Sequence, residues 1–461
     1  MVEKFLNIFR IPDLRKRVLF TFGVLAIYRL GAWIPTPGVN FDLLSRLFDQ
    51  QSGSALGLMN LFGGGNLRRM TIFALGIMPY ITASIIFQLL TVVYEPLARI
   101  QKEGELGRRK ITQWTRYVTI VLAALQSIGI AAILTRQGLV LNPGFGFMLM
   151  TVLTLTTGSG FIMWLGEQIT DRGIGNGMSL LIFAGIVAGL PHGVLELVQM
   201  IQTSKYGSFT PFAVLAMLVG MILVVAFIVY VERAERRIPI QSARRIVGRR
   251  MMGGASSHLP LKVNSGGVMP IIFASSILSA PLLFSTSEWV TNNRFLSPIM
   301  LALQPGYPWY VFLNFVAIIF FAYFYVSIVM KPDDIADNFR KSGSFIPGIR
   351  PGKRTSEFIN DILTRITLVG ALYLFLIYLI PTYMMSGLRL DKLILVGHFF
   401  ESLPNWTTHG LGVNFYFGGT SLLIVVGVAM DTINQVESQL IMRHYEGFSP
   451  RSGRVRGRKT W

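Results

Sequence analysis

The stretch KEGELGRRKITQWTRYVTIVLAALQSIGIAAIL, Lys102 to Leu134, carries the pattern of the whole chain. Lys102 to Gln113 is crowded with charge, whereas Trp114 to Leu134 is apolar apart from Arg116 and a few small polar residues and Gln126. The apolar part is long enough, as a helix, to cross the hydrocarbon core of a bilayer. Working outward in both directions, nine more stretches of this kind are found: Val18 to Ile34, Met70 to Val93, Phe147 to Ile169, Met178 to Met200, Phe212 to Val231, Val268 to Phe284, Tyr310 to Val329, Ile366 to Met384 and Tyr416 to Gln435.

The segments between them alternate in charge. Those that begin with the N-terminal tail, and every second one after it, hold 32 of the 42 basic residues; the intervening segments hold 8, and Arg29 and Arg116 lie within apolar stretches. Positive charge retained on the cytoplasmic side predicts this bias and puts both termini in the cytoplasm. With 52% hydrophobic residues, 14% charged residues and a mean hydropathy of +0.54, the chain reads as a membrane protein. The net charge of +19 sits in loops beside apolar spans, where anionic lipid or an acidic partner is the fitting target. Lys4, Arg10, Arg15, Lys16 and Arg17 precede the first span as in a signal peptide, but no A-x-A site follows Ile34, so that span is expected to stay uncleaved.

Five spans precede the loop around Lys205 and five follow it, which predicts two halves, 1–200 and 201–461. An odd number of spans per half turns the second half over, as inverted repeats do. No residue-level repeat supports this; it rests on count and charge. Ahead of the second full span, Ser54 to Phe62 is a mildly apolar segment too short to cross, followed by Gly63, Gly64 and Gly65 and then Arg68 and Arg69. Composition alone favours a surface loop there over a short helix folded back on a glycine hinge.

Most motifs exclude chemistry. There is no cysteine, hence no disulfide or thiolate ligand. The five histidines are dispersed without ligand spacing, so neither a metal nor a cofactor is expected. GGGNLRR lacks the G-K-[ST] of a P-loop, and Gly173 to Gly177 has the spacing G-x-G-x-G between two spans, so neither supports nucleotide binding. Ionisable groups within the spans are few, among them Arg29, Arg116, Glu167 near an end and Asp431 near another, which argues against an ion-coupled solute transporter. No cluster of acids, histidines or nucleophiles suggests an enzyme. Gly185 and Gly189 form a GxxxG suited to close helix packing. Gln88, Gln126 and Asn264 are amides that seek hydrogen bonds in lipid, either as helix glue or as a gate. Two long cytoplasmic loops, 232–267 and 330–365, present paired arginines and the turn-forming run Phe345 to Gly352, a surface suited to an acidic protein or to RNA phosphates.

At these positions the chain closely resembles the SecY family, the pore subunits of the bacterial protein-conducting translocon. The matching runs are IFALGIMPYITASII from Ile72, KEGELGRRKITQ from Lys102, MWLGEQITDRGIGNGMS from Met163, HLPLKVNSGGVMP from His258, ADNFRKSGSFIPGIRPG from Ala336, TRITLVGALY from Thr364 and FYFGGTSLLIVVGVAMD from Phe415. They cover both halves in order.

The resemblance implies an all-α membrane protein of the bacterial plasma membrane, with ten transmembrane helices in two inverted five-helix halves around a central hourglass pore. Its apolar ring would be Ile77, Ile81, Met178, Ile182, Ile272 and Ile424. A narrow apolar collar dewets and blocks ions, yet it offers a passing polypeptide no bond that would trap it. Met178 replaces a branched aliphatic residue, and its unbranched thioether adapts to varied shapes. The segment of about 54–69, with Leu58, Met59, Phe62, Gly63, Gly64 and Gly65, becomes a plug beneath the ring, reversing the preference from composition. Gln88, Gln126 and Asn264 become a polar cluster in a lateral gate between the second and third spans and the seventh and eighth. Arg249, Arg250 and Arg350 fall on the surface where the ribosome, including its RNA, and the motor ATPase SecA dock. SecE and SecG are the implied companion subunits, and signal sequences and translocating polypeptides the substrates. The segment Met385 to Phe415 is longer than in common bacterial members.

Overall fold

A computed structural model describes residues 11–41, 43–45, 63–202, 210–242, 245–247, 250–252, 256–282, 300, 303, 307–386 and 419–446. The plug residues Leu58, Met59 and Phe62, Arg249 and nearly all of the segment 385–415 lie outside the described residues.

The helices are α1 (Pro12–Gly31), α2 (Met78–Val93), α3 (Glu95–Lys102), α4 (Glu105–Arg136), α5 (Phe145–Arg172) and α6 (Gly177–Gln202) in the first half of the chain. In the second they are α7 (Thr210–Arg233), α8 (Met269–Leu282), α9 (Pro308–Val329), α10 (Pro332–Ser342), α11 (Lys353–Ser386) and α12 (Gly419–Glu446). Among the described residues four helical stretches are long and apolar enough to cross a bilayer: Glu105–Arg136, Phe145–Arg172, Pro308–Ser342 and Lys353–Ile380. The pair α2 and α3 passes only when taken together and is bent by 100°. The bend falls at Tyr94, which is extended, just ahead of the Glu95-Pro96 start of α3. Proline fits the first turn of a helix because no intrahelical N–H is required there.

Several helices depart from the apolar stretches in length. The second stretch becomes helical only at Met78, since 63–77 is a run of turns with Gly64, Gly65 and Gly76 at positive φ. Conversely, α4 begins at Glu105 and α11 at Lys353, so both continue as charged helix beyond the apolar run. Glu105 in the first turn of α4 and Arg136 in its last complement the helix dipole.

The surface is inverted relative to a water-soluble bundle. Leu125 on α4, Phe212 and Ile222 on α7 and Phe320 on α9 are exposed, while Thr119, Ser127, Thr151 and Ser159 are buried between helices. Several hydroxyls donate to a carbonyl of their own helix: Thr115 to Ile111, Thr119 to Thr115, Ser127 to Ala123 and Thr135 to Ala131, at 2.6–2.9 Å. That arrangement lets a polar side chain sit in lipid without an external partner.

The first half packs as α4 on α5, α2 on α4 and α5 on α6; in the second, α8 packs on α9, α9 on α11 and α12 on α7 and α11. The two meet where α2 lies against α8 and where α6 lies against α7 and α12.

The all-helical expectation gives way in the two long basic loops. Glu235–Ser242 (β1), Ser256–Lys262 (β4) and Ser344–Phe345 (β5) form an antiparallel sheet in the order β4-β1-β5, with Arg245–Val247 (β2) and Arg250–Met252 (β3) paired as a short hairpin. Along β1, Ile238 and Ile240 are buried while Arg237 and Pro239 are exposed, the period-two alternation of a sheet with one covered face. The cover is the C-terminal end of α9 and the N-terminal part of α11, where Ile238, Leu261 and Ile346 join Val326, Ile359 and Ile362 in one apolar cluster.

Candidate functional site

The six ring residues come from four helices. Ile77 caps the N-terminus of α2 and accepts the Ile81 amide, so the two project from one face. Ile272 lies in the first turn of α8 and Ile424 near the start of α12. Met178 and Ile182 open α6, whose first amides are capped by Asn176: its Oδ1 accepts from the Met178 amide at 3.1 Å.

The sequence around Met178 is constrained by close packing rather than by any ligand. A Cβ on Gly177 would overlap the Gly166 carbonyl of α5, and one on Gly166 would overlap the Met178 thioether. Gly175, at φ +92, turns the chain between the helices. The G-x-G-x-G that superficially suggests a dinucleotide loop is therefore the hinge that sets Met178 against α5.

All six belong to one contiguous apolar cluster that draws on both halves of the chain. The five isoleucines are buried, with Ile424 at 0% exposure, and Met178 is partly buried at the edge of the same cluster. Packed around them are Ile162 and Leu165 of α5, Ile228 of α7 and Leu374 of α11.

Beside this cluster, the glycine run returns the chain to α2. Thr36 donates its amide to Met70 and Ile72 donates to Ile34, so the return segment pairs with the chain leaving α1. Gly64, at φ +67, lies against Gly185 of α6 so closely that a Cβ would meet the Gly185 backbone at 2.6 Å. The Tyr28 hydroxyl of α1 accepts from Asn66 Nδ2 at 3.4 Å and would lie 3.4 Å from a Cβ built on Gly185. A cavity of about 520 Å³ opens next to this contact, lined by Arg29, Arg68, Arg69, Trp33, Asn66 and Gly189 among others. The Arg69 guanidinium stacks over the Trp33 ring at 4.8 Å. Tyr28 and Asn66 are site residues that the sequence did not single out; the only sequence signal was the position of Asn66 directly after the glycines.

The three amides expected to line the gate differ in their hydrogen bonding. Gln88 Nε2 donates to Ser84 one turn earlier on α2 at 3.2 Å. Gln126 Oε1, on α4, is buried without a hydrogen bond. Asn264 Nδ2 donates to Glu232 Oε1 at 2.6 Å and to the Gly267 carbonyl at 3.1 Å. The bonds that Gln88 and Asn264 donate thus stay within their own halves of the chain.

Of the docking arginines, Arg250 opens β3 in the short hairpin, opposite Val247. Arg350 is exposed on the turn Ile346 to Gly352. Ile346 anchors that turn in the apolar cluster beneath the sheet, Gly348 and Gly352 supply positive φ, and the Arg350 carbonyl accepts from Thr355 Oγ1 at 2.9 Å. The only ion pair between two spans among the described residues joins Arg116 Nε of α4 to Glu167 Oε1 of α5 at 2.6 Å.

Among the described residues no group of three or more histidine, cysteine or acidic side chains could hold a metal ion. Among the described residues the arrangement is an apolar cluster that gathers the six side chains expected to form the ring, a glycine contact beside it and an exposed basic turn at Arg350.

Comparison with known proteins agrees with this arrangement. A family model described as SecY matches residues 71–433. The protein translocase subunit SecY of Escherichia coli K12 is 49% identical over 441 residues, covering 94% of this chain and 93% of its own. A solved SecY structure, concerned with how the plug domain stabilises the closed state of the translocation channel and maintains a membrane seal, superimposes with a TM-score of 0.63 at 18% identity, covering 95% of each chain. Sec61 in the canine ribosome–channel complex from the endoplasmic reticulum gives a TM-score of 0.60 at 16% identity, covering 95% of each chain. The match runs along nearly the whole length, and the chain belongs to the SecY family.

Proposed function

We infer that this chain is the central subunit of a protein-conducting channel, which translocates secretory proteins across a bacterial plasma membrane and inserts membrane proteins into it. The observation that carries the reading is the convergence of Ile77, Ile81, Met178, Ile182, Ile272 and Ile424, from α2, α6, α8 and α12, in one apolar cluster beside the Gly64–Gly185 contact. In the channel, ten spans form two inverted halves, 1–200 and 201–461, with both termini cytoplasmic and an hourglass pore between them. The six residues form its constriction, and the segment of about 54–69 plugs it when idle.

The work is passive. An apolar constriction excludes ions by dewetting and closes around a passing chain without binding it. Parting of α2 and α4 from α8 and α9 opens the pore to lipid. An apolar signal sequence or membrane span then leaves sideways, driven by about 25 cal/mol per Å² of apolar surface removed from water. The protein is not an enzyme; energy comes from SecA or a translating ribosome docked on the loops whose sequence includes Arg249, Arg250 and Arg350. SecE and SecG complete the complex, and anionic lipid meets the basic loops. The ribosome reading is supported by the likeness to a channel solved in a ribosome complex.

Site-specific crosslinking of a stalled secretory precursor tests this function. Photoreactive residues at 77, 182 and 272 are expected to capture the precursor in transit, whereas a precursor that crosslinks only to lipid-facing positions such as 125 and 222 would refute a path through the collar.

A further inference from the structure

Glu232 and Asn264 face each other across the root of the cytoplasmic sheet. Glu232 stands in the last turn of α7, and after two residues the chain becomes β1. The β1–β4 ladder runs from Gln241 opposite Ser256 to Glu235 opposite Lys262 and is extended by the Val263 amide donating to the Ala234 carbonyl at 2.9 Å. Asn264 follows at once. Its side chain donates to Glu232 Oε1, and its carbonyl accepts from the amide of Gly267, whose φ of +57 turns the chain into α8.

This junction is tight on every side. Asn264 is 4% exposed, so its amide protons depend on protein partners. A Cβ on Gly370 of α11 would lie 2.8 Å from the Val263 carbonyl oxygen, so α11 presses directly on the strand exit. Lys262 Nζ reaches Asp431 Oδ1 of α12 at 3.7 Å. A carboxylate acceptor at 2.6 Å makes the bond to Asn264 charge-assisted, roughly twice as strong as one between neutral groups.

We propose that Glu232 is a positioning residue of the gate: by holding Asn264 it fixes the start of α8 to the end of α7 and to the sheet on which a docked partner presses. The inference rests on reading α2, α4, α8 and α9 as the gate. Both donor bonds of the Asn264 amide are spent on Glu232 and Gly267, while Gln126 Oε1 of α4 is buried with no donor. While Glu232 holds it, Asn264 has no free donor for either gate glutamine. The backbone carries movement of the sheet from β4 into the gate helix, and the Glu232–Asn264 bond ties that exit to the end of α7.

The chain contains no cysteine, so Leu90→Cys on α2 and Ile277→Cys on α8 give a spin-label pair without further engineering. In the channel complex in lipid vesicles, a synthetic apolar signal peptide is expected to lengthen the label distance. Glu232→Ala is expected to shift the idle complex toward that longer distance, changing the closed-to-open ratio about tenfold, as loss of a charge-assisted bond would. Asn264→Asp sets two carboxylates against each other and is expected to open the gate as well. Adding Glu232→Gln to it restores an amide–carboxylate pair and is expected to return the parental distance. A parental distribution in Glu232→Ala, or a double variant no closer to parental than Asn264→Asp alone, overturns the role of Glu232 while the gate reading stands. A parental complex that ignores the signal peptide overturns the gate reading itself and the inference with it.

Discussion

Gly64 and Gly185 touch backbone to backbone: a methyl group built on Gly64 would lie 2.6 Å from the Gly185 Cα. One glycine belongs to the run that returns the chain to α2, the other to α6, which also carries Met178 and Ile182 of the collar. The return segment is therefore seated directly on the helix that carries Met178 and Ile182, and, if these form the constriction as proposed, displacement of that seat should be felt there.

Substitutions along the glycine run should be graded by this geometry. Gly65→Ala meets only the strain of φ +82, because nothing lies within 4 Å of its Cβ, and should cost about 1–2 kcal/mol. Gly64→Ala adds a backbone overlap to similar strain and should be the worst. Gly185→Ala, whose Cβ meets Tyr28 Oη at 3.4 Å and Gly64 Cα at 3.5 Å, should be mild. Single-channel leak of the idle complex checks the order, and equal leak in all three variants would reject the seat.

Opening the collar should raise idle conductance. Ile81→Ser, Ile182→Ser and Ile272→Ser combined add hydroxyls and remove methyls at the apolar cluster, so water and ions should pass where they are now excluded. The recording that decides this is the conductance of the complex in a planar bilayer without substrate; a silent triple variant that still exports protein would remove these residues from the seal.

Reversing the charge at Arg350 should separate the two modes of use. Arg350→Glu leaves the Ile346 anchor and both positive-φ glycines in place, so the turn keeps its shape. SecA-driven export in inverted vesicles should fall at least tenfold while the variant still inserts in the membrane. Export at the parental rate would exclude Arg350 from motor docking.

The Arg116–Glu167 pair should contribute to stability rather than to conduction. Glu167 is 16% exposed and Arg116 45%, so the pair is partly shielded. A double-mutant cycle with Arg116→Met and Glu167→Gln, read by thermal unfolding in detergent, should give a coupling of about 1–3 kcal/mol. Additive losses would mean that the contact contributes nothing as a pair.

Much of the architecture is legible in the chain because membrane insertion is governed by length, apolarity and the side on which lysine and arginine remain. Those properties are local and additive, so the apolar runs around Ala123, Leu155 and Ile318 mark α4, α5 and α9 well. Reading fails where the backbone is decided by contacts distant in sequence. The stretch from Met70 to Ile77 is as apolar as a span, yet it is a series of turns, since it pairs with Ile34 and Thr36 and stacks on Tyr28 through Phe73. The loop 232–267 reads as a basic surface, but the alternation of Ile238 and Ile240 becomes a sheet only because α9 and α11 extend beneath it.

The collar shows the same division. Taken one at a time, Ile77, Ile182 and Ile424 are ordinary isoleucines; motif resemblance singled them out, and their gathering from four helices is a tertiary fact. The sequence by itself determined that this chain is a multi-spanning membrane protein with basic loops on one side and almost no charge within its spans, because the transfer of each segment into lipid depends on that segment alone. Only the tertiary structure decided that Gly64 meets Gly185, that Asn264 binds Glu232 and that Gly166 and Gly177 allow α5 and α6 to close around Met178. Those contacts depend on where the backbones of separate helices come to rest, and a single hydrogen or a single amide at each point determines how near they can come.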